Sequence, residues 1–196
     1  DQNLVADAQG GSGASFSFDG TDDHVIVSDG GSLDVGTSDF SLELWFKRPD
    51  NENYPTGTLE VMVSKISAGS SPQIQIAFSN AGTVYPYLND NAGNTIAAGT
   101  GYNSGVVADN KWHHAFMSFD RSSSTGLAFY VDGVLIKAGD GTSIGDLDTG
   151  SLYIGGYYTG DYDFRGQISQ VRIHNRALSA DEVKAAYNGQ SVSYEY

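Results

Sequence analysis

The chain has 196 residues, among them 25 Gly, 24 acidic residues, 10 basic residues and no Cys. A chain of this length forms one domain by default, and it buries about 70% of its unfolded surface without help from a disulfide. The net charge of −14 disfavours nucleic acid and anionic membranes as partners, because both are bound through Lys and Arg, and the lack of Cys excludes disulfides, thiol catalysis and Cys-zinc sites.

Predicted β-strands follow one another along almost the whole chain. A small polar segment, residues 1–13, comes first and is predicted to be a lead-in strand or a linker. After it, runs rich in Val, Ile, Phe and Tyr alternate with clusters of Gly, Asn, Asp and Ser, which is typical of strands and turns. The predicted strands are 14–19, 24–28, 40–48, 61–66, 73–79, 83–88, 112–120, 126–131, 134–138, 151–155 and 167–174, with a short strand near 95–98 as the alternative to a loop there.

Residue periodicity and turn signals support this assignment. Asp132 and Gly133 between two predicted strands indicate a hairpin, since its tight turn needs positive φ at both positions. Near the end, Ser179 and Glu182 form the pattern of a capping box and Gly189 supplies a stop, so one short helix is predicted between them. Many strands with one late helix predict an all-β fold, a two-sheet antiparallel β-sandwich. No run approaches the roughly 18 apolar residues of a transmembrane helix.

Six ordered motifs resemble those of one known family. They are FDGTDDHV at 18–25, FSLELWFK at 40–47, the run from Trp112 to Asp120, FYVDG at 129–133, LYIGG at 152–156 and the stretch from Gly166 to Ser179. These motifs are similar to those of the laminin G-like, concanavalin A-like lectin/glucanase jelly rolls of bacteria and their viruses. The resemblance covers about residues 14–189 and implies a single laminin G-like jelly-roll domain over 1–196. It also implies a recognition module that binds carbohydrate or protein, often beside a calcium ion.

The same fold includes enzymes, but the sequence lacks their motifs. Laminarinase-type glucanases share a Glu-x-Asp-x-x-Glu strand, which holds the acid and the nucleophile on one face, and no such run occurs here. Alginate lyases of similar fold share a Gln-x-His strand, and the nearest match, 73–75, has Gln where His is needed. The chain is therefore predicted not to be an enzyme.

Asp-rich loops are candidate calcium sites, because Ca²⁺ prefers about six to eight oxygen ligands. In laminin G-like domains of the neurexin and laminin type, a rim calcium is bound by a mid-chain turn and by the segment before the Ile-Gly-Gly strand. By this resemblance the rim ligands are Asp90 together with Asp146 or Asp148.

A different, structural calcium at the edge of the sandwich would use Asp19 or Asp22 of the opening motif. Ser169 stands where family members often have an Asp, which puts a site that draws on that carboxylate in doubt. The alternative is that all these Asp residues are turn formers that bond to their own backbone.

Tyr residues cluster in predicted loops together with Asp and Asn, which is the composition of adaptable recognition loops. Tyr rings stack on the apolar faces of sugars, and Asp and Asn bond to sugar hydroxyls. The alternative is that these Tyr side chains cap the core at one end of the sandwich. The predicted carbohydrate-binding residues are Tyr157, Tyr158, Asp161, Tyr162 and Asp163, with Tyr85, Tyr87 and Asn89 opposite.

The neighbouring His113 and His114 are not predicted to bind one metal ion. Adjacent side chains on a strand point to opposite faces, and no third His or Cys lies at zinc spacing. We expect both to be structural, one in the core and one on a sheet face.

Together these features predict a non-catalytic carbohydrate-binding module, with calcium as the implied cofactor. Its partner would be a glycan or polysaccharide, and it would neither bind nucleic acid nor insert into a membrane. It would be part of a larger extracellular, cell-surface or virion protein. The second hypothesis is a protein–protein or adhesion domain of a larger surface or phage-appendage protein, and the third is a polysaccharide hydrolase or lyase.

Overall fold

The computed structural model describes the backbone of residues 3–5 and residues 14–31, 33–49, 59–66, 73–79, 81–90, 92–96, 104–147, 150–157, 159 and 162–189. Within these ranges the chain forms 13 strands and one helix. The strands make two sheets in which all neighbouring strands are antiparallel. The predicted all-β, two-sheet antiparallel sandwich with one short late helix is therefore confirmed.

One sheet has seven strands and the other has six. The seven-stranded sheet contains, in spatial order, β1 (Asn3–Val5), β2 (Ser15–Asp19), β13 (Arg165–His174), β4 (Phe40–Lys47), β9 (Trp112–Phe119), β10 (Leu127–Val131) and β11 (Val134–Gly139). The six-stranded sheet contains β3 (Val25–Val27), β12 (Ser151–Ile154), β5 (Glu60–Ile66), β6 (Ile74–Phe78), β7 (Val84–Asn89) and β8 (Thr95–Ile96).

The hydrophobic core lies between the two sheets. In β4 the apolar residues at every second position are buried, as the alternation predicts. Burying each such side chain contributes about 1.5–3 kcal/mol to the hydrophobic free energy of folding. The core contains Phe40, Leu42, Leu44 and Phe46 from β4, packed with Val63, Ile76, Phe78 and Leu88 from the facing sheet.

The helix α1 (Ala180–Tyr187) covers the middle of the outer face of the seven-stranded sheet. Its capping box is confirmed, since the Ser179 side chain accepts from the Glu182 backbone and the Glu182 side chain accepts from the Ser179 backbone. Val183 packs with Phe116 of β9, and Tyr187 stacks on Trp45 of β4 with ring centroids 5.7 Å apart. Outward-facing residues of β4 and β9 are therefore buried as well.

Two details depend on glycine. The predicted hairpin is confirmed, with φ of 53° at Asp132 and 74° at Gly133. Strand β13 begins two residues before its predicted start because Gly166 lets it approach β4, where a Cβ atom would lie 2.4 Å from the Lys47 carbonyl oxygen. None of the helices in the described part of the chain has the length and apolarity needed to span a membrane.

Candidate functional site

The loop between β12 and β13 presents a pair of tyrosines. The rings of Tyr157 and Tyr162 meet edge to face, with centroids 5.8 Å apart and planes at 88°. Tyr162 is 46% exposed and has a φ of 67°. Its carbonyl oxygen accepts a hydrogen bond from the Val61 backbone N–H at 2.7 Å, which ties the loop to β5. The predicted partners Tyr158 and Asp161 lie outside the described residues.

Two glycines explain why the chain turns here. Gly155 has a φ of 86°, and a Cβ atom on it would lie 2.2 Å from the Phe18 ring. A Cβ atom on Gly156 would lie 2.5 Å from Oδ1 of Asp163. Asp163 is buried beneath this loop, so its carboxylate is held inside, whereas Tyr162 is exposed and Tyr157 is half-buried. Its predicted role as a sugar ligand stays a prediction.

The second predicted group lies on one face of β7. Tyr85, Tyr87 and Asn89 occupy alternate positions and therefore share a face. Tyr85 is buried, and burial together with the neighbouring Tyr87 raises its pKa to about 12. Tyr87 and Asn89 are half-buried, and Oδ1 of Asn89 has no hydrogen-bond partner among the described residues. Of this group, Tyr87 and Asn89 are thus the members a ligand could reach.

The strand register relates the two tyrosine groups. Asp163 bridges to Val61, Val61 pairs with Ala77, and Ala77 pairs with Tyr85. These three inter-strand steps of about 4.8 Å place the groups about 14 Å apart. The groups therefore border the same sheet without touching.

Sequence reasoning left Tyr153 out of the predicted site. Tyr153 of β12 is half-buried, pairs with Ser64 on one side and with Ile26 on the other, and Ile26 is exposed. Ser151 and Tyr153 occupy alternate positions of β12 and therefore share a face, while Leu152 between them is buried. This alternation is the signal that could have assigned Tyr153 to the outer face.

An acidic cluster lies at the edge of the sandwich, in the turn after β2. Carboxylate oxygens of Asp19, Asp22 and Asp23 lie within 4.8 Å of one another, and among the described residues no other three acidic, His or Cys ligand atoms all lie that close together. Oδ2 of Asp23 accepts from the Asp19 backbone, and Oδ1 of Asp19 accepts from the Thr21 backbone. Carboxylate oxygens are ligands that Ca²⁺ prefers. Calcium binding by Asp19 or Asp22 at this edge stays a prediction.

The predicted rim residue Asp90 has a clear structural role. Its carboxylate accepts from the backbone of Ala92 and Gly145 and from the backbone and side chain of Asn94, at 2.7–2.9 Å. Burial opposes ionisation, but these hydrogen bonds outweigh it and hold the pKa of Asp90 below its usual range. The turn-forming role that the sequence left open is confirmed for Asp90.

Arg121 occupies the region beside Asp90. Its guanidinium donates to the carbonyl oxygens of Gly36, Ser38, Ile144 and Gly145. The carbonyls next to the predicted rim ligand Asp146, which is exposed, thus already bind a cationic side chain. Asp148 lies outside the described residues, and a calcium role for Asp90, Asp146 and Asp148 stays a prediction.

A buried polar cluster lies beneath α1, and sequence reasoning missed it. Glu43 accepts hydrogen bonds from Nε2 of His114 at 2.8 Å, from Nε2 of His174 at 3.0 Å and from Arg172 at 3.3 Å. Burial raises the pKa of Glu43, but the hydrogen bonds from His114 and His174 outweigh it and lower the pKa to about 2. His113 points to the other face, between Asp132 and Asp109, so the two His side chains lie on opposite faces of the strand, as the sequence predicts.

The chain resembles several known proteins. Residues 19–184 match the family model described as the concanavalin A-like lectin/glucanases superfamily. The fold is similar to the binding domain of Paraclostridial Mosquitocidal Protein 1 (16% identity, TM-score 0.75, covering 95% of this chain and 45% of that chain). It is also similar to the binding domain of botulinum neurotoxin serotype G (15% identity, TM-score 0.73, covering 95% of this chain and 44% of that chain).

This chain spans less than half the length of those two structures, and the low identity makes the likeness one of fold alone. No curated protein matches its sequence. The family match covers most of the chain and agrees with the two-sheet sandwich. The chain therefore belongs to the concanavalin A-like lectin/glucanases superfamily.

Proposed function

We propose that this chain is a non-catalytic carbohydrate-binding module of a larger extracellular, cell-surface or virion protein. The observation that carries the proposal is the Tyr157–Tyr162 pair, in which an exposed ring is held in place by a second ring. Ordering the ring before binding reduces the entropy that a ligand must overcome, and Tyr offers an apolar face for a sugar together with a polar hydroxyl.

The burial and the hydrogen-bond partners of the glutamate carboxylates support a non-catalytic role. Glycoside hydrolysis needs two carboxyl groups that flank the substrate, at about 5–9.5 Å from each other. Glu43 is buried in its cluster beneath α1, and Glu60 is buried in a two-point pair with Arg48 at 2.5 and 3.2 Å. The two buried glutamates among the described residues are thus engaged in holding the fold. The two similar structures are the binding domains of Paraclostridial Mosquitocidal Protein 1 and of botulinum neurotoxin serotype G, which agrees with this proposal.

A glycan array with purified domain, in calcium and again in EDTA, tests the proposal. We expect binding that falls about tenfold or more in Tyr162→Ala and is largely kept in Tyr162→Phe, because the ring supplies the contact. Val134→Ala changes an exposed apolar residue on the opposite sheet and should bind as the wild type does. Folded protein that binds no glycan, or Tyr162→Ala that binds as well as wild type, would overturn the proposal.

One observation favours the alternative, a protein–protein or adhesion domain. The edge strand β11 carries Val134 and Leu135, which are 63% and 50% exposed. An open edge with apolar side chains can add a strand from a partner. This alternative would be supported if the folded domain bound no glycan on the array but bound a partner protein, and if Val134→Lys abolished that protein binding.

A further inference from the structure

The side chain of Arg121 holds together the loops at the end of the sandwich where β12 begins. Its Nε donates to the Ser38 carbonyl oxygen at 3.0 Å, and its Nη2 donates to the Gly36 carbonyl oxygen at 2.5 Å. Its Nη1 donates to the carbonyl oxygen of Ile144 at 2.9 Å and to that of Gly145. The first two residues precede β4 of the seven-stranded sheet, and the last two precede β12 of the six-stranded sheet. One guanidinium therefore connects loops that belong to both sheets.

Asp90, the predicted rim calcium ligand in this region, is surrounded by N–H donors. Its Oδ1 accepts from the backbone N–H groups of Ala92 at 2.9 Å and Asn94 at 2.8 Å. Its Oδ2 accepts from the Asn94 side chain and from the Gly145 backbone, both at 2.7 Å, and Asp90 is 4% exposed. Because four N–H groups are directed at this carboxylate, a metal ion could bind it only after hydrogen bonds were broken. The donor set around Asp90 therefore does not fit the rim calcium that the family resemblance implies.

The carbonyl oxygens around Arg121 are arranged for a planar guanidinium and not for Ca²⁺. Calcium needs six to eight oxygens that converge at about 2.3–2.6 Å from one point. Here the carbonyl oxygens lie at hydrogen-bond distance from three different nitrogens of one planar group, so each lies farther from the centre of that group than a calcium ligand would. The carboxylates of Asp146, Asp39 and Asp90 lie close enough to attract the guanidinium charge. The charge of this region therefore selects a cation, and its shape selects a guanidinium.

We propose that the Arg121 guanidinium is the structural cation of this end of the sandwich and stands in place of the rim calcium, so that the loops here are held without a metal ion. The loop that carries Tyr157 and Tyr162 follows β12, whereas the loop bound by Arg121 precedes it. The inference therefore does not rest on the proposed function. The acidic cluster at the edge of the sandwich stays a separate candidate for calcium.

A calcium titration of the ¹⁵N-labelled wild-type domain tests whether this end binds a metal ion. We expect no shift of the amide signals of Gly36, Ile144 and Gly145 up to about 10 mM Ca²⁺, which is above the range in which extracellular calcium modules bind. Amide shifts at Thr21 and Asp23 would report calcium at the acidic cluster and are read separately in the same spectra. Saturable shifts of the first three amides would overturn the proposal.

Two variants of Arg121 test whether the guanidinium holds the loops. Arg121→Ala removes the cation, and Arg121→Lys keeps the charge but lacks the planar fork that reaches several carbonyls at once. We expect both to lower the midpoint of thermal unfolding by about 5 °C or more. Lys184→Ala, which removes a cation from an exposed position of α1, should lower it by less than about 2 °C. An Arg121→Lys midpoint equal to that of wild type would overturn the proposal, because charge alone would then suffice.

Free guanidinium should replace the missing group in Arg121→Ala. In the ¹⁵N-labelled variant we expect guanidinium chloride, at up to about 100 mM, to shift the amides of Gly36, Ile144 and Gly145, whereas sodium chloride at the same ionic strength should not. Guanidinium added to wild type should leave these amides unchanged. Shifts with calcium chloride but not with guanidinium, or no shifts with guanidinium, would each overturn the proposal. If Arg121→Ala does not fold, Arg121→Lys and the calcium titration of wild type decide.

Discussion

Replacing Glu43 by Gln should remove most of the stability that the cluster beneath α1 contributes. The carboxylate accepts from three donors, on His114, His174 and Arg172, and its side chain is 2% exposed. Its pKa falls from 4.5 to about 2, which corresponds to about 3 kcal/mol at about 1.4 kcal/mol per pKa unit. A Gln side chain keeps one acceptor oxygen but turns an N–H₂ group toward the remaining donors.

The loss of about 3 kcal/mol should appear in urea unfolding near neutral pH, followed by circular dichroism. The sign of the pH dependence follows from the lowered pKa. The contribution of Glu43 is complete above its unfolded pKa of about 4.5 and is lost as the pH falls through its folded pKa of about 2.

The difference in unfolding free energy between wild type and Glu43→Gln should therefore shrink as the pH falls from about 4.5 to about 2. Using the difference removes the effects of the other carboxylates, Glu182 among them, whose pKa is also about 2. A loss below about 1 kcal/mol near neutral pH, or a difference that does not change across this range, would refute the reasoning.

Three further predictions concern other parts of the molecule. Glu60→Gln leaves Arg48 buried with a broken ion pair and should lower the unfolding free energy by about 3–5 kcal/mol in urea; a loss under about 1 kcal/mol would contradict this. Gly155→Ala drives a methyl group against the Phe18 ring and should cost about 2 kcal/mol or more in thermal unfolding, whereas an unchanged midpoint would show that the loop adapts. Calcium, if bound at the edge cluster, should raise the unfolding temperature of wild type reversibly with EDTA but not that of Asp19→Asn; equal responses of the two proteins would exclude Asp19 as a ligand.

The strands and the helix could be predicted because their signals are local. The alternation in 40–47 and the Ser179–Glu182 pattern depend on residues a few positions apart, and the structure confirms both. The two predicted sugar-binding residues Tyr157 and Tyr162 lie close together in the sequence, and their rings are in contact.

The buried cluster could not be predicted because it depends on long-range register. Glu43 meets residues 71 and 131 positions away, and a bulge between Ser169 and Arg172 shifts the register of β13 before His174. Gln170, with a φ of 53°, absorbs this shift. A single sequence gives no signal for such a bulge. The burial of Asp163 depends similarly on Gly156, whose missing Cβ leaves room for the carboxylate.

The position of β13 has a consequence for how the domain is synthesised. This strand, the last of the 13 in the described residues, lies between β2 and β4 and pairs with both. Until residues 165–174 have left the ribosome, β2 and β4 each have an open edge, and the long-range contacts that join them form only after that point. A fragment that ends before Arg165 should therefore expose two adhesive strand edges at once and aggregate, so a shortened version of this domain needs to keep β13.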